Sequence, residues 1–377
     1  GGHGVNYRVT PSAAESLFLE MLSEYDIDLI FNSRLHEKTS IHKLDGRIQS
    51  IILESGQEIK GRYFIDSSYE GDLMAASGVS YAVGRESRNT YHEPGAGKQD
   101  LYTFKQLDPY DEENNLLPDI YIGKAGKVGT GDNKSQAYNF RLCLTQDPQN
   151  FVSIGKPTTY NPKRYELLLQ TILRSTSEIN LSNIVSIAKL PDGKTDFNNN
   201  GMFSTDLING SWSYAESNYK QRDSIWTDHK DYLQGLFYFL GNDPRVPKSL
   251  REEVLSWGLS KDEFIDTENW PHQLYIREGR RMIGEYVMTQ FDAWDNAKKN
   301  NSVGMGSYMI DSHYVRKFVD KKDGILKMEG LTGHQPVRPY EIPYSSITPQ
   351  KEQCENLLVP VCMSASHVMY GSLRMEP

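Results

Sequence analysis

Two segments place a histidine among hydroxyls: Asp311-Ser312-His313-Tyr314, and Ser364-Ala365-Ser366-His367 with Tyr370 close behind. Imidazole titrates nearer neutrality than any other side chain, so His313 and His367 are the candidates for moving a proton. A lone histidine can equally be a hydrogen-bonded structural group, and each admits that reading. IDSSYEGDL, residues 65 to 73, sets Asp66, Glu70 and Asp72 beside Ser67, Ser68 and a glycine. The segment passes from a strand into a helix, a junction at which open α/β sheets place ligand-binding groups. Asp66 or Ser67 could alternatively cap that helix. Arg277, Arg280 and Arg281 read as standing at or just before a helix start, where cations oppose the positive end of the dipole. An anionic ligand or a reduced cofactor would resolve the conflict, and so would pairing with Glu278 and Glu285. Arg85 and Glu86 are either part of a site or a solvated pair.

Other chemistries lack their signatures. None of the nine histidines has HExxH-type spacing, and Cys143, Cys354 and Cys362 are too scattered for a zinc site or a disulfide framework, so no metal is expected. There is neither a GxSxG elbow nor a GxxxxGK[ST] loop. A net charge of -9 repels a phosphate backbone and argues against nucleic acid as a partner. Apolar runs such as Leu236 to Leu240 and Leu357 to Val361 fall far short of the roughly 18 residues of a membrane span. No signal peptide is visible, and cytoplasm and periplasm both stay open as compartments.

The elements that must position these residues follow from periodicity. From Pro11, Ala14, Leu17, Phe18, Met21 and Leu22 repeat at helical spacing, with Ser12 and Glu15 as a capping box. Runs at 34 to 43, 47 to 54 and 57 to 66, separated by Asp45-Gly46 and Ser55-Gly56, predict an antiparallel meander. A short helix over Leu73 to Ala76 stops at Gly78. Beyond residue 100 the texture becomes polar and α+β. Strands are expected at 137 to 145 and 184 to 190, with a helix between them capped by Asn161 and opened by Pro162. Helices fill 213 to 257, with a capped start at Ser249. After 270 the spacing predicts a helix carrying Met282, Ile283, Tyr286 and Val287, then strands near 307 to 319 and 325 to 329 joined by Asp323-Gly324.

The chain as a whole resembles a bacterial family of FAD-dependent oxidoreductases, some of whose members carry a xanthan lyase-like label. The resemblance rests on residues 65 to 87, QAYNFRLCLT from 136, FLGNDPRVP from 239, WPHQLYIREGRRMIGEYVMT from 270, SVGMGSYMIDSHYVRKFV from 302, and 341 to 377. It implies an α/β fold: a partial FAD/NAD(P)-binding-type domain with a β-meander, built from 1 to 100 and 271 to 377, interrupted by an α+β substrate domain at 101 to 270. Residues 65 to 87 and 340 to 377 must then share a core.

The resemblance also implies roles. FAD would accept a hydride from a small or carbohydrate-like substrate, with His367 or His313 moving the proton and Tyr370 as hydrogen-bonding partner. Asp66, Ser67, Glu70, Asp72, Arg280, Ser366 and Arg374 would contact the cofactor, and Arg277 and Arg85 the substrate. Gly1-Gly2-His3-Gly4 follows no strand and fails as the phosphate-binding GxGxxG turn, and Pro377 precedes an expected cofactor-facing helix, so weak FAD binding by this chain is expected. The competing readings are a carbohydrate-active lyase or hydrolase, suggested by abundant Tyr, Trp and Asn, and a non-catalytic binding protein.

Overall fold

A computed structural model describes residues 8–295, 298–332 and 337–375; the Gly1-Gly2-His3-Gly4 stretch and Pro377 lie outside them. Helices and sheets are mixed. The meander forms as Ile41–Leu44, Arg47–Ile52 and Glu58–Lys60, all antiparallel. Its first turn uses left-handed Asp45 and Gly46, the conformation an Asp-Gly hairpin requires.

The third expected run divides. Glu58–Lys60 stays in the meander, whereas Phe64–Ile65 leaves it and pairs in parallel with Leu357–Leu358. Buried Asn356 enforces the division: its side chain accepts from the Ile48 N–H and donates to the carbonyls of Ile48 and Arg62. Phe64, Leu73, Met74 and Val79 consequently share a core with Cys354, Leu357, Val359 and Cys362, so residues 65 to 87 do meet the 340 to 377 stretch.

The middle of the chain builds a five-stranded sheet in the order Val185–Lys189, Lys194–Asn199, Leu142–Thr145, Gly258–Ser260, Phe151–Val152. The Glu166–Arg174, Tyr219–Asn242 and Lys248–Leu255 helices contribute to its core, which runs from Tyr138 to Ile276. Asn161 accepts from the Lys163 N–H as expected. The Lys248–Leu255 helix instead starts after Pro247, with no side-chain cap. A four-stranded sheet then draws on both halves of the chain, setting Tyr102–Phe104 and Tyr121–Gly123 outside the Arg316–Asp320 and Leu326–Glu329 hairpin.

Three local expectations are overturned. Pro11–Ser23 is helical, but Thr10 is its N-cap and Ser12 bonds Glu263 through both N (2.7 Å) and Oγ (2.8 Å), so no capping box forms. None of its residues is buried, and Phe18 is 65% exposed. There is no helix at Met282: Arg281–Met282 is a strand antiparallel to Tyr81–Ala82. The apolar residues there serve a strand and a loop, because their spacing fits neither period over a long enough run to decide alone. The 307 to 319 run is extended only from Arg316.

Asn356→Ala should lower unfolding free energy by about 2–4 kcal/mol, since it leaves the Ile48 amide and two carbonyls unpaired. Urea denaturation would read this as a reduced midpoint at unchanged slope.

Candidate functional site

Backbone pairing of Tyr275 with Asn139 carries the following residues inward, and Arg277 becomes fully buried. Its Nη1 lies 2.8 Å from Asp206 Oδ1 and donates to the Ala137 carbonyl, while Nη2 donates to Asn139 Oδ1. Burial opposes the charge on Asp206, yet Arg277 and His313 hold its carboxyl below the ordinary range. His313 Nδ1 sits 2.6 Å from Asp206 Oδ2, which assigns the proton to Nδ1 and leaves Nε2 as the basic nitrogen. Nε2 is 3.6 Å from Asp311 Oδ2, too long for a hydrogen bond, and Arg374 Nη2 takes that same oxygen at 2.9 Å. Arg374 Nε and Nη1 are buried with no partner among the described residues.

A second buried array lies close by. Arg85 bridges Asp132 and Glu329, and Glu329 also takes Arg316. Arg281 pairs with Glu278 and Glu86. Arg85 and Glu86 are therefore not a solvated pair with each other. His367, at the start of the His367–Leu373 helix, accepts the Gly97 N–H at Nε2 (3.0 Å) and donates its own N–H to Glu86. Burial depresses His367 to about 3, so it is neutral, with its acceptor nitrogen engaged. Ser366 caps the helix and donates to Glu93 Oε1 (2.7 Å), which also accepts the Gln290 N–H. Burial raises Glu93 to about 7, and its Oε2 has no partner among the described residues. A cavity of about 10 Å³, large enough for about one water, separates Arg85 and His367 from Asp311. Tyr370 stands apart, its hydroxyl donating to the Val361 carbonyl.

The cluster of Arg277, Arg280 and Arg281 does not precede a helix, so the dipole conflict disappears. Each guanidinium has its own acid, and Glu285 is not one of them. Arg280 pairs with Asp72 and Glu216, and Asp72 also takes Arg222. Glu70 accepts from the Tyr214 hydroxyl. Asp66 clamps its own turn: Oδ1 accepts from the Ser68 N–H and hydroxyl, and Oδ2 from the Met74 N–H. Ser67 is exposed on a groove of about 480 Å³ that continues past Ile65, Arg34 and Tyr219. The sequence-derived residues thus fall into three groups: Arg277, His313 and Arg374; Arg85, Ser366 and His367; and Asp66, Ser67, Glu70, Asp72 and Arg280.

The model of the FAD dependent oxidoreductase family matches residues 2–377. The chain belongs to this family. No curated protein and no solved structure matches it.

Membership in the FAD dependent oxidoreductase family makes the groove beside Ser67 the place to test for the cofactor, because it lies just past the parallel Phe64–Ile65 and Leu357–Leu358 pair. The test divides the cofactor in two. The exposed Ser67 hydroxyl and the apolar Ile65 suit a ribityl chain and a ring. Asp66, Glu70, Asp72 and Asp223 also line the groove, and its arginines are already paired, Arg34 with Glu54 and Arg222 with Asp72. Such a lining does not suit a pyrophosphate.

Sequence reasoning missed Asp206, Glu93 and Glu329. Asp206 and Glu93 sit in segments without periodicity or motif. Glu329 looks like an ordinary charged residue until burial gives it partners.

Glu93 offers a pH test. Its folded pKa stands above the ordinary 4.5, so its stabilising contribution is complete below about 4.5 and is lost as pH rises through about 7. Between pH 5 and 7.5 the protein should lose about 2 kcal/mol relative to Glu93→Gln. Urea unfolding of both at the two pH values checks this, because shifts at Glu278 and His367 are common to the pair.

Proposed function

We propose that the chain serves flavin-dependent dehydrogenation of a small substrate bearing a hydroxyl or amino group. FAD, when bound, would supply the two-electron acceptor for the hydride of the substrate carbon. His313 removes the accompanying proton at Nε2, while Asp206, kept ionised by Arg277, holds the imidazole in the required tautomer and stabilises the imidazolium. The observation that carries this reading is the 2.6 Å contact between His313 and Asp206 beside Arg374 N–H groups that have no hydrogen-bond partner among the described residues. Those N–H groups orient a polar or anionic substituent of the substrate, while Arg277, fully buried against Asp206, Ala137 and Asn139, keeps Asp206 in place. His367 is the weaker candidate, because the Gly97 N–H takes its Nε2.

The reading includes the domain plan in which 1 to 100 and 271 to 377 form the FAD-binding-type domain around an inserted 101 to 270. The mixed core of Phe64, Met74, Leu357 and Cys362, beside the self-contained core from Tyr138 to Ile276, supports that plan. It includes weak binding of FAD by this chain alone, supported by the acidic groove beside Ser67.

Titration of FAD into the chain, followed by flavin fluorescence, should give a Kd on the order of 1 μM or weaker. Submicromolar saturation would overturn that part of the proposal. In flavin-loaded protein, His313→Gln should slow anaerobic flavin reduction by alcohols or amines by about 10²-fold or more. Unchanged reduction would remove His313 from the reaction.

A further inference from the structure

Across Tyr275 from the buried arginines lies a pocket of about 370 Å³, within the usual range for small-ligand sites. Leu142, Phe264, Leu274 and Ile276 form its apolar wall, and Ala14 of the Pro11–Ser23 helix faces them. The polar part consists of the Arg141–Asp196 ion pair (Nε to Oδ1 2.9 Å), the phenols of Tyr69 and Tyr275, and Thr10, His272 and Gln273. The Tyr275 ring is surrounded by cations, with the guanidinium carbons of Arg277, Arg141 and Arg374 at 4.9, 5.5 and 5.9 Å from its centroid.

The lining also sets the charge of an occupant. Arg141 and Asp196 cancel one another. Burial raises the Tyr69 phenol, and it pushes the Cys143 thiol in the same wall up to about 11, so both stay neutral. An ion brought into such a wall would lose hydration without a counter-charge. A hydroxyl, in contrast, both donates and accepts, and a guanidinium beside a carboxylate answers both functions.

We propose that this pocket is a binding site for a neutral ring alcohol of one or two rings, with the ring against the apolar wall and the hydroxyl at the Arg141–Asp196 pair. The inference goes beyond the dehydrogenase reading and does not rest on it; binding needs no flavin.

The test titrates 2-naphthylmethanol into the chain without flavin, following probe fluorescence, with 2-naphthoate and 2-naphthylmethylammonium as charged counterparts. The alcohol should saturate with Kd on the order of 0.1–1 mM, and both ions should bind at least about tenfold more weakly, given the cost of stranding a charge in this wall. Ala14→Trp, at a half-buried helix position, should fill the pocket and weaken the alcohol about tenfold or more while the melting temperature is kept. Arg141→Met leaves Asp196 uncompensated and should reverse the preference toward the ammonium. Absence of saturation, equal or tighter binding of the naphthoate, or unchanged binding by folded Ala14→Trp would overturn the proposal. His313→Gln should leave this binding unchanged. Loss of the binding with the His313 kinetic effect intact sinks the pocket alone, and the converse sinks the proton-transfer reading alone.

Discussion

The structure depends on the burial of arginine. Arg85, Arg222, Arg277, Arg280, Arg281, Arg316 and Arg374 are all buried, and removing a guanidinium from water costs several kcal/mol unless an acid and further hydrogen bonds meet it. The acids come mostly from distant parts of the sequence: Asp72 for Arg222 and Arg280, Glu329 for Arg85, Asp206 for Arg277, Asp311 for Arg374. Each pair therefore acts as a cross-brace between segments that hydrophobic contact alone would leave free to slide. Removing one partner leaves the other as an uncompensated buried charge, so the braces stand or fall as wholes.

The same requirement shapes the chemistry. Asp206 remains ionised in an enclosed setting because Arg277 is beside it, and an ionised Asp206 is what orients His313. The imidazole is thus held by a chain of pairings that begins with a structural need. His367 shows the opposite outcome: burial without a close carboxylate on its ring leaves it neutral, and a backbone N–H occupies its acceptor nitrogen. Two histidines of similar local sequence acquire different properties because only one has an acid at hydrogen-bonding distance from its ring.

The architecture brings the ends of the chain together through a very small element. Two residues of parallel strand on each side, clamped by Asn356, join the 64 to 82 region to the last forty residues. That junction is the origin of the groove beside Ser67. Its acidic lining arises from the pairing of Asp72 with Arg222 and Arg280 and from the turn clamp at Asp66, so the residues nearest an expected cofactor contact are engaged in holding the turn.

Much of the local structure was legible in the sequence, because it rests on local rules. The Asp45-Gly46 turn, the Asn161-Pro162 helix start and the Asp323-Gly324 hairpin need only backbone preferences and near neighbours. The expected helix at Met282 failed, since a short apolar run carries no decisive period and its partner strand at Tyr81 is two hundred residues away. Family membership was also legible, in long segments of unusual composition. What only the tertiary structure decided was which charges are buried and with whom. An arginine on paper is the same residue whether it is solvated or enclosed, and its partner is set by packing between segments far apart in the chain. Asp206 beside His313, Glu93 beside Ser366 and three guanidiniums around Tyr275 are therefore products of the fold, not of spacing.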